Sequence, residues 1–218
     1  MQCIKDTIKN INIVIGCNIG CSYCYARMNN NRFHTIDDFN KPVFFENKLK
    51  MLDNKRHTAY LLTGQSDLSG WNEEWKDKVF SKMKENENTQ YIFLTKRPEN
   101  INLKETPDNG WFGVTVTSSK EKTRIDYLRN NIKAKHYHIT FEPMFDDVGK
   151  LDLNNISWIV IGTETGNRKG KISSKREWVF NIYNQAKEKN IPVFMKEDLL
   201  GILNEDEFVQ EFPKEFGG

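Results

Sequence analysis

Short apolar, β-branched runs recur along the chain, and amphipathic stretches separate them. The runs at 11–15, 59–63, 91–95, 112–116, 138–141, 158–161 and 192–195 predict strands. Several, such as Trp-Ile-Val-Ile-Gly from Trp158 and Tyr-Ile-Phe-Leu-Thr from Tyr91, barely alternate. A strand covered on both faces reads this way, as in a parallel sheet. Between the runs, Trp75, Val79, Phe80 and Met83 share one helical face. So do Ile125, Leu128 and Ile132, and so do Trp178, Val179, Ile182, Tyr183 and Ala186. The polar stretch 29–41 predicts a loop, and the acidic, amphipathic tail after Gly201 a short closing helix.

Strand and helix in alternation predict an α/β fold with a parallel sheet. Six or seven such units fall short of the eight that close a full barrel, so an open partial (β/α) barrel of six to seven parallel strands is expected, with a flat doubly wound sheet as the alternative. No linker or low-complexity tract divides residues 1–218, so one domain is expected, its core at about 11–198 and a short extension at 199–218. Either architecture puts its chemistry beyond the carboxyl ends of the strands. Polar tips cluster there: TGQSD from Thr63, TKRPE from Thr95, TVTSS from Thr115, FEPM from Phe141, GTETGNRKGK from Gly162 and KED from Lys196.

Composition narrows the classes. With 32 basic and 30 acidic residues the formal charge is +2, unlike a protein that coats nucleic acid. Met1 to Asn10 holds no signal-peptide core, and no apolar run nears the ~18 residues of a membrane span, so no membrane partner and a cytoplasmic location are expected. In that reducing compartment clustered cysteines bind metal more often than they pair. Three of the four cysteines, Cys17, Cys21 and Cys24, fall in the loop after the first predicted strand. Cys3 is placed by the sequence at the other end of that strand, and His34, His57, His136 and His138 show no ligand spacing to the loop. Three thiolates are one short of a closed zinc site, whereas a four-iron cluster held by three cysteines keeps an open iron.

The stretch Cys-Asn-Ile-Gly-Cys-Ser-Tyr-Cys-Tyr resembles the cysteine motif of the radical S-adenosylmethionine (radical SAM) superfamily, with Tyr23 as the aromatic residue before the third cysteine. Ser66-Asp67, Leu-Thr-Lys-Arg-Pro from Leu94, Gly-Val-Thr-Val from Gly113, Glu142-Pro143 and Gly-Thr-Glu-Thr-Gly from Gly162 follow in order. They resemble a short phage- and mobile-element-associated branch of that superfamily, in which such proteins often occur as pairs. Thr163 stands where the branch more often has Gly. The resemblance implies a partial barrel, a 4Fe–4S cluster on Cys17, Cys21 and Cys24, and S-adenosylmethionine chelated to the fourth iron. It further implies reductive cleavage to methionine and a 5′-deoxyadenosyl radical, hydrogen abstraction from a substrate, and an external electron donor of flavodoxin or ferredoxin type. A zinc-binding nucleic-acid module and a non-catalytic iron–sulfur carrier or sensor are the competing readings.

By the same resemblance Tyr23 lies near the adenine, and Ser66 and Asp67 near the methionyl ammonium; local chemistry would equally make Ser66 and Asp67 helix caps. Lys96 suits a cofactor carboxylate or an anionic substrate. Thr115 and Thr117 share a strand face and suit ribose hydroxyls, or simply reflect β-propensity. Glu142 ends an apolar strand and needs a partner, and Glu164 is similar. The basic segment Arg168, Lys169, Lys171, Lys175 and Arg176 reads as a solvated loop or as an anion-reading one.

Overall fold

A computed structural model describes residues 2–54, 56 and 58–217; Met1, Lys55, His57 and Gly218 lie outside it. The chain opens with a single helical turn, α1 (Ile4–Thr7), and enters the sheet through β1 (Ile8–Asn10). Next come β2 (Val14–Ile15), α2 (Tyr25–Phe33), β3 (Val43–Phe44) and β4 (Ala59–Leu61). The remainder alternates: α3 (Glu73–Lys84), β5 (Gln90–Thr95), β6 (Gly110–Thr115), α4 (Thr123–Asn131), β7 (His136–Phe141), β8 (Ile156–Ile161), α5 (Arg176–Glu188) and β9 (Val193–Met195).

Seven strands form one sheet in the order β1-β4-β5-β6-β7-β8-β9, every pair parallel. The spatial order follows the chain order without reversal. Right-handed crossovers between successive strands therefore lay their helices on the same face, and the sheet curls into a half-barrel rather than lying flat. On the helical face α3, α4 and α5 bury Val79, Phe80, Met83, Ile125, Leu128, Val179, Ile182 and Ala186 against Phe93, Phe112, Val114, Ile139 and Ile161. Phe93 and Phe112 stack at 4.9 Å, with Phe80 edge-on to both.

The opposite face holds its own cluster, Ile8, Ala59, Ile92, Trp111, Trp158, Val160 and Phe194, plugged by Phe216. The Phe216 ring sits 4.7 Å from Trp111 and 5.3 Å from Trp158. The tail after Gly201 thus forms 3-10 turns at Glu205–Glu207 and Lys214–Phe216, not a helix; its aromatics are spent on the floor of the half-barrel. Gln210 also covers the exposed edge of β9. It bridges Phe194, and its amide exchanges hydrogen bonds with the Gln2 backbone at 2.7 and 2.8 Å. Open edges ordinarily need such cover.

Two further expectations change. The run 11–15 is not the first strand of the large sheet. Ile8–Asn10 takes that place, while Val14–Ile15 turns away to pair antiparallel with Val43–Phe44. Residues 29–33, read as loop, are helical. Poor helix formers are held there by tertiary bonds: buried Asn30 donates to the Ile36 carbonyl and accepts from its N–H, at 2.9 and 3.0 Å. No helix among the described residues is long and apolar enough to cross a membrane.

Candidate functional site

The β2–β3 ribbon frames the cysteine loop. Gly16 has φ +115°, and Pro42 Cα would lie 2.9 Å from a Cβ there, so only glycine fits where the chain turns. Its N–H donates to the Gln65 carbonyl at 2.9 Å, which ties the loop to the extension of β4. Cys24 is the N-cap of α2, and its Sγ accepts from the Arg27 N–H at 3.4 Å. The Arg27 guanidinium braces the loop from inside: it donates to the Cys17 carbonyl at 2.8 Å and to Asn40 Oδ1 at 3.0 Å, over the Phe39 ring. Cys17 and Cys24 rest on Ile15, Ala26, Ile36 and Phe39. Burial pushes the Cys17 thiol up, and the charges of Asp67, Cys24 and Cys21 add to that.

Among the described residues no three His, Cys, Asp or Glu side chains converge as ligands of one metal ion would. A four-iron cubane gives each thiolate its own iron, so its cysteines stand further apart than donors meeting on a single ion. The trio fits such a cluster in donor chemistry and number, and in sharing one loop beyond the first strand. Two of the described histidines are occupied elsewhere: His136 stacks on Trp111 at 4.3 Å, and His138 is buried with Nε2 3.0 Å from the Phe93 carbonyl, while His34 is exposed at the far end of α2 from Cys24. Cys3 is not remote from the mouth, as its sequence position suggested. α1 folds it back so that its thiol donates to Glu197, beside Lys196 at the top of β9.

Around the mouth the expected side chains divide in two. Asp67 is sequestered: Ser69 N–H, Ser69 Oγ and Thr95 Oγ1 donate to its Oδ1 at 3.0, 2.7 and 2.7 Å, and the Lys96 N–H donates to its Oδ2 at 2.8 Å. The Ser66 hydroxyl accepts from Trp71 Nε1 at 3.0 Å. Asp67 therefore caps the turn at Leu68–Gly70, as the sequence also allowed, whereas the Ser66 hydroxyl is engaged by the Trp71 indole. Lys96 extends from β5 toward Thr115 Oγ1, 3.4 Å away, and toward the Tyr23 ring at 6.0 Å. Tyr23 meets Phe145 edge-on, and burial, followed by the Cys21 charge, raises its phenol pKa. Thr117 faces a different partner from Thr115, donating to Glu121 at 2.7 Å.

Across the mouth, Lys196 ion-pairs with Glu142 and lies 3.2 Å from Asp198. Asp198 also accepts from the Thr163 N–H at 3.1 Å. A Cβ on Gly162, the residue after β8, would come within 3.2 Å of both carboxylate groups, so any larger residue there would have to displace them. Burial alone would pull the Lys196 ammonium down, but the two carboxylate charges outweigh it and hold its pKa above the ordinary lysine value. Burial raises Asp198 despite Lys196. The Tyr25 hydroxyl donates to the Gly64 carbonyl at 2.5 Å, and burial, then the Glu142 and Cys24 charges, raises its pKa. Sequence reasoning singled out Glu142 and placed the Lys196–Asp198 tip at the same end of the sheet without giving it a role, and it missed Tyr25. Strand alternation adds that Lys196 falls on the same face as buried Phe194.

Glu164 is buried and forms a bidentate pair with Arg168, at 2.5 and 2.8 Å, which lowers its pKa. Arg176 pairs with Glu207, so two of the five basic residues in that segment are neutralised within the protein. The family model described as "Protein of unknown function (DUF5131)" matches residues 2–217. The chain belongs to the DUF5131 family. Similar curated proteins include those named Lipase 1 from Staphylococcus aureus strains N315 and COL. Each is 35% identical to the DUF5131 chain over 98 residues, 44% of this chain and 14% of theirs. The aligned part thus spans a small fraction of those relatives' length. No solved structure matches the DUF5131 chain.

Proposed function

We propose that this protein is a radical SAM enzyme whose cluster is held by Cys17, Cys21 and Cys24. One observation carries the reading: a three-thiol loop lies beyond the first strand of a sequentially ordered, curled parallel sheet, where the polar tips of the other strands meet. When bound, S-adenosylmethionine on a reduced cluster supplies hydrogen-atom abstraction by a 5′-deoxyadenosyl radical. Lys96 offers a cation toward the thiol loop, suited to a carboxylate, and Thr115 offers a hydroxyl beside it. Asp67 supports the site from below by fixing the Lys96 backbone and is a positioning residue. Glu142, Lys196 and Asp198 line the other wall and hold polar groups of cofactor or substrate. Trp111, Trp158 and Phe216 keep water from the floor.

The likeness to Lipase 1 favours no hydrolase reading. The chain contains no Gly-x-Ser-x-Gly elbow. Ser66 and Ser69 at the mouth bond Trp71 and Asp67, so neither has the histidine base an acyl-transfer serine needs.

The test is anaerobic reconstitution with iron and sulfide. A brown protein that forms 5′-deoxyadenosine from S-adenosylmethionine with dithionite, and loses both properties on Cys21→Ala, is expected. Tetrahedral zinc without sulfide would overturn the proposal, and a brown protein forming no 5′-deoxyadenosine would leave an electron carrier in its place.

A further inference from the structure

A hollow of about 410 Å³ opens on the rim of the mouth, between the turn that follows β5 and the first turns of α4. Ile19 of the cysteine loop lines it together with Lys96, so it adjoins the thiols. Its two walls are tied to each other. Asn131 Nδ2, at the end of α4, donates to the Pro98 carbonyl at 3.0 Å, and the Leu103 N–H donates to the Asn131 carbonyl at 2.8 Å. Sites for small molecules span about 300–1,000 Å³, so this hollow is sized for one nucleotide-like group and not for a duplex.

The lining carries four basic and two acidic side chains. Arg124 and Glu121 cancel, paired at 2.8 Å, and Arg124 also donates to the Thr115 carbonyl. Lys96, Arg97 and Lys120 then face Glu99, and none of these four forms an ion pair among the described residues. The surplus survives a wider count. Residues 95–100, 118–129 and 145–150 hold seven basic and five acidic side chains. Of those acids, Asp126 is taken by Arg129 and Asp146 by Ser119. Arg97 is half-buried, yet its guanidinium meets no acceptor among the described residues, although such a group carries five donors in a fixed fork. Tyr127 lines the same hollow and is 46% exposed. A forked cation suits a phosphate, and an open aromatic ring suits a planar base.

We propose that this hollow binds a nucleoside phosphate, its phosphate on Arg97 and Lys120 and its base against Tyr127. The proposal rests on the radical SAM reading and adds the substrate class to it. S-adenosylmethionine carries no phosphate, so the chemistry of this subsite is not that of the cofactor. The phosphate contact is charge-driven and weakens with salt, whereas stacking on Tyr127 persists.

The experiment titrates the reconstituted full chain, with S-adenosylmethionine present, by calorimetry. The probes are adenosine, guanosine, cytidine and uridine monophosphates, the matching nucleosides and inorganic phosphate. At least one monophosphate is expected to bind about tenfold tighter than its nucleoside or inorganic phosphate alone. Arg97→Ala and Lys120→Ala should each weaken the monophosphate and inorganic phosphate about tenfold. Tyr127→Ala should weaken the monophosphate but not inorganic phosphate, and Tyr127→Phe should restore it. Melting temperatures show that the variants are folded. Lys135→Ala, before β7 at the opposite end of the sheet, should change nothing. A short single strand of the preferred base that binds no tighter assigns a free nucleotide; one that binds about tenfold tighter assigns a nucleotide within a strand, and either supports the proposal. No monophosphate binding, or binding that all three alanine variants leave unchanged, overturns the subsite alone. A monophosphate held no tighter than inorganic phosphate leaves a bare anion site and also overturns it. Iron, sulfide and 5′-deoxyadenosine are measured on the same preparations, and a protein that takes up no iron and sulfide overturns the reading beneath.

Discussion

Replacing Asp67 tests whether this carboxylate holds the site together rather than gripping a ligand. It is 6% exposed and receives four hydrogen bonds from Ser69, Thr95 and Lys96. In Asp67→Ala the hydroxyls of Ser69 and Thr95 can rotate toward other acceptors. The Ser69 and Lys96 backbone N–H groups cannot, and an orphaned buried donor costs about 1–3 kcal/mol. Losing two charge-assisted hydroxyl bonds adds to this, while relief of the buried charge subtracts. The net expectation is about 3–4 kcal/mol, a large share of a typical stability of about 5–15 kcal/mol but compatible with a folded chain. Asp67→Asn keeps Oδ1 for its three donors and turns an amide toward the Lys96 N–H, so it should cost about 1–2 kcal/mol. Urea unfolding of the cluster-free protein, followed by tryptophan fluorescence, measures both. A cost below about 1 kcal/mol for Asp67→Ala would refute the argument, because the bonds it removes would then be worth no more than solvent.

Gly113 faces His138 across β6 and β7, and a Cβ there would collide with the imidazole. Gly113→Ala should destabilise by about 2–3 kcal/mol, and much less in a His138→Ala background; additive costs in a double-mutant cycle would show that the two do not touch. Burial lowers the His138 pKa to about 4 from 6.5. The unfolded chain therefore takes up a proton in that window while the folded protein does not, so stability is lost as pH falls through it, by up to about 3 kcal/mol from this group. Unfolding free energies from pH 7.5 to 4 should show a steeper decline in the wild type than in His138→Gln, and equal slopes would refute the assignment. Arg168→Ala leaves the Glu164 carboxylate without its bidentate partner, and should loosen the loop and speed tryptic cleavage at Lys169 and Lys171; cleavage at the wild-type rate would mean the pair does not hold the loop.

The parallel α/β class, the helices around Val79, Leu128 and Ile182, and the thiol loop were legible because each depends on local periodicity or spacing. The unbroken run Ile156–Ile161 needs both faces covered whatever its neighbours are, and three cysteines within eight residues share one loop through short chain alone. Boundaries failed where tertiary bonds outweighed propensity, as in residues 29–33, where Asn30 pays its helix cost through Ile36. The β1 shift has the same origin: an apolar pentad reads as one strand, but Val14 and Ile15 found a partner in Val43 and Phe44 instead of the main sheet.

By itself, then, the sequence determined the element types, the thiol spacing and the end of the sheet at which polar residues gather. Only the folded chain decided which of those polar groups are free. Asp67 looked like a ligand and is consumed by its own loop, Glu164 is consumed by Arg168, and Cys3 returns to the mouth through α1. Lys196, from the last strand, meets Glu142 from 54 residues earlier. Periodicity and spacing act over a few residues, whereas hydrogen-bond partners and charge neighbours are fixed by the curl of a sheet that brings distant strand ends together.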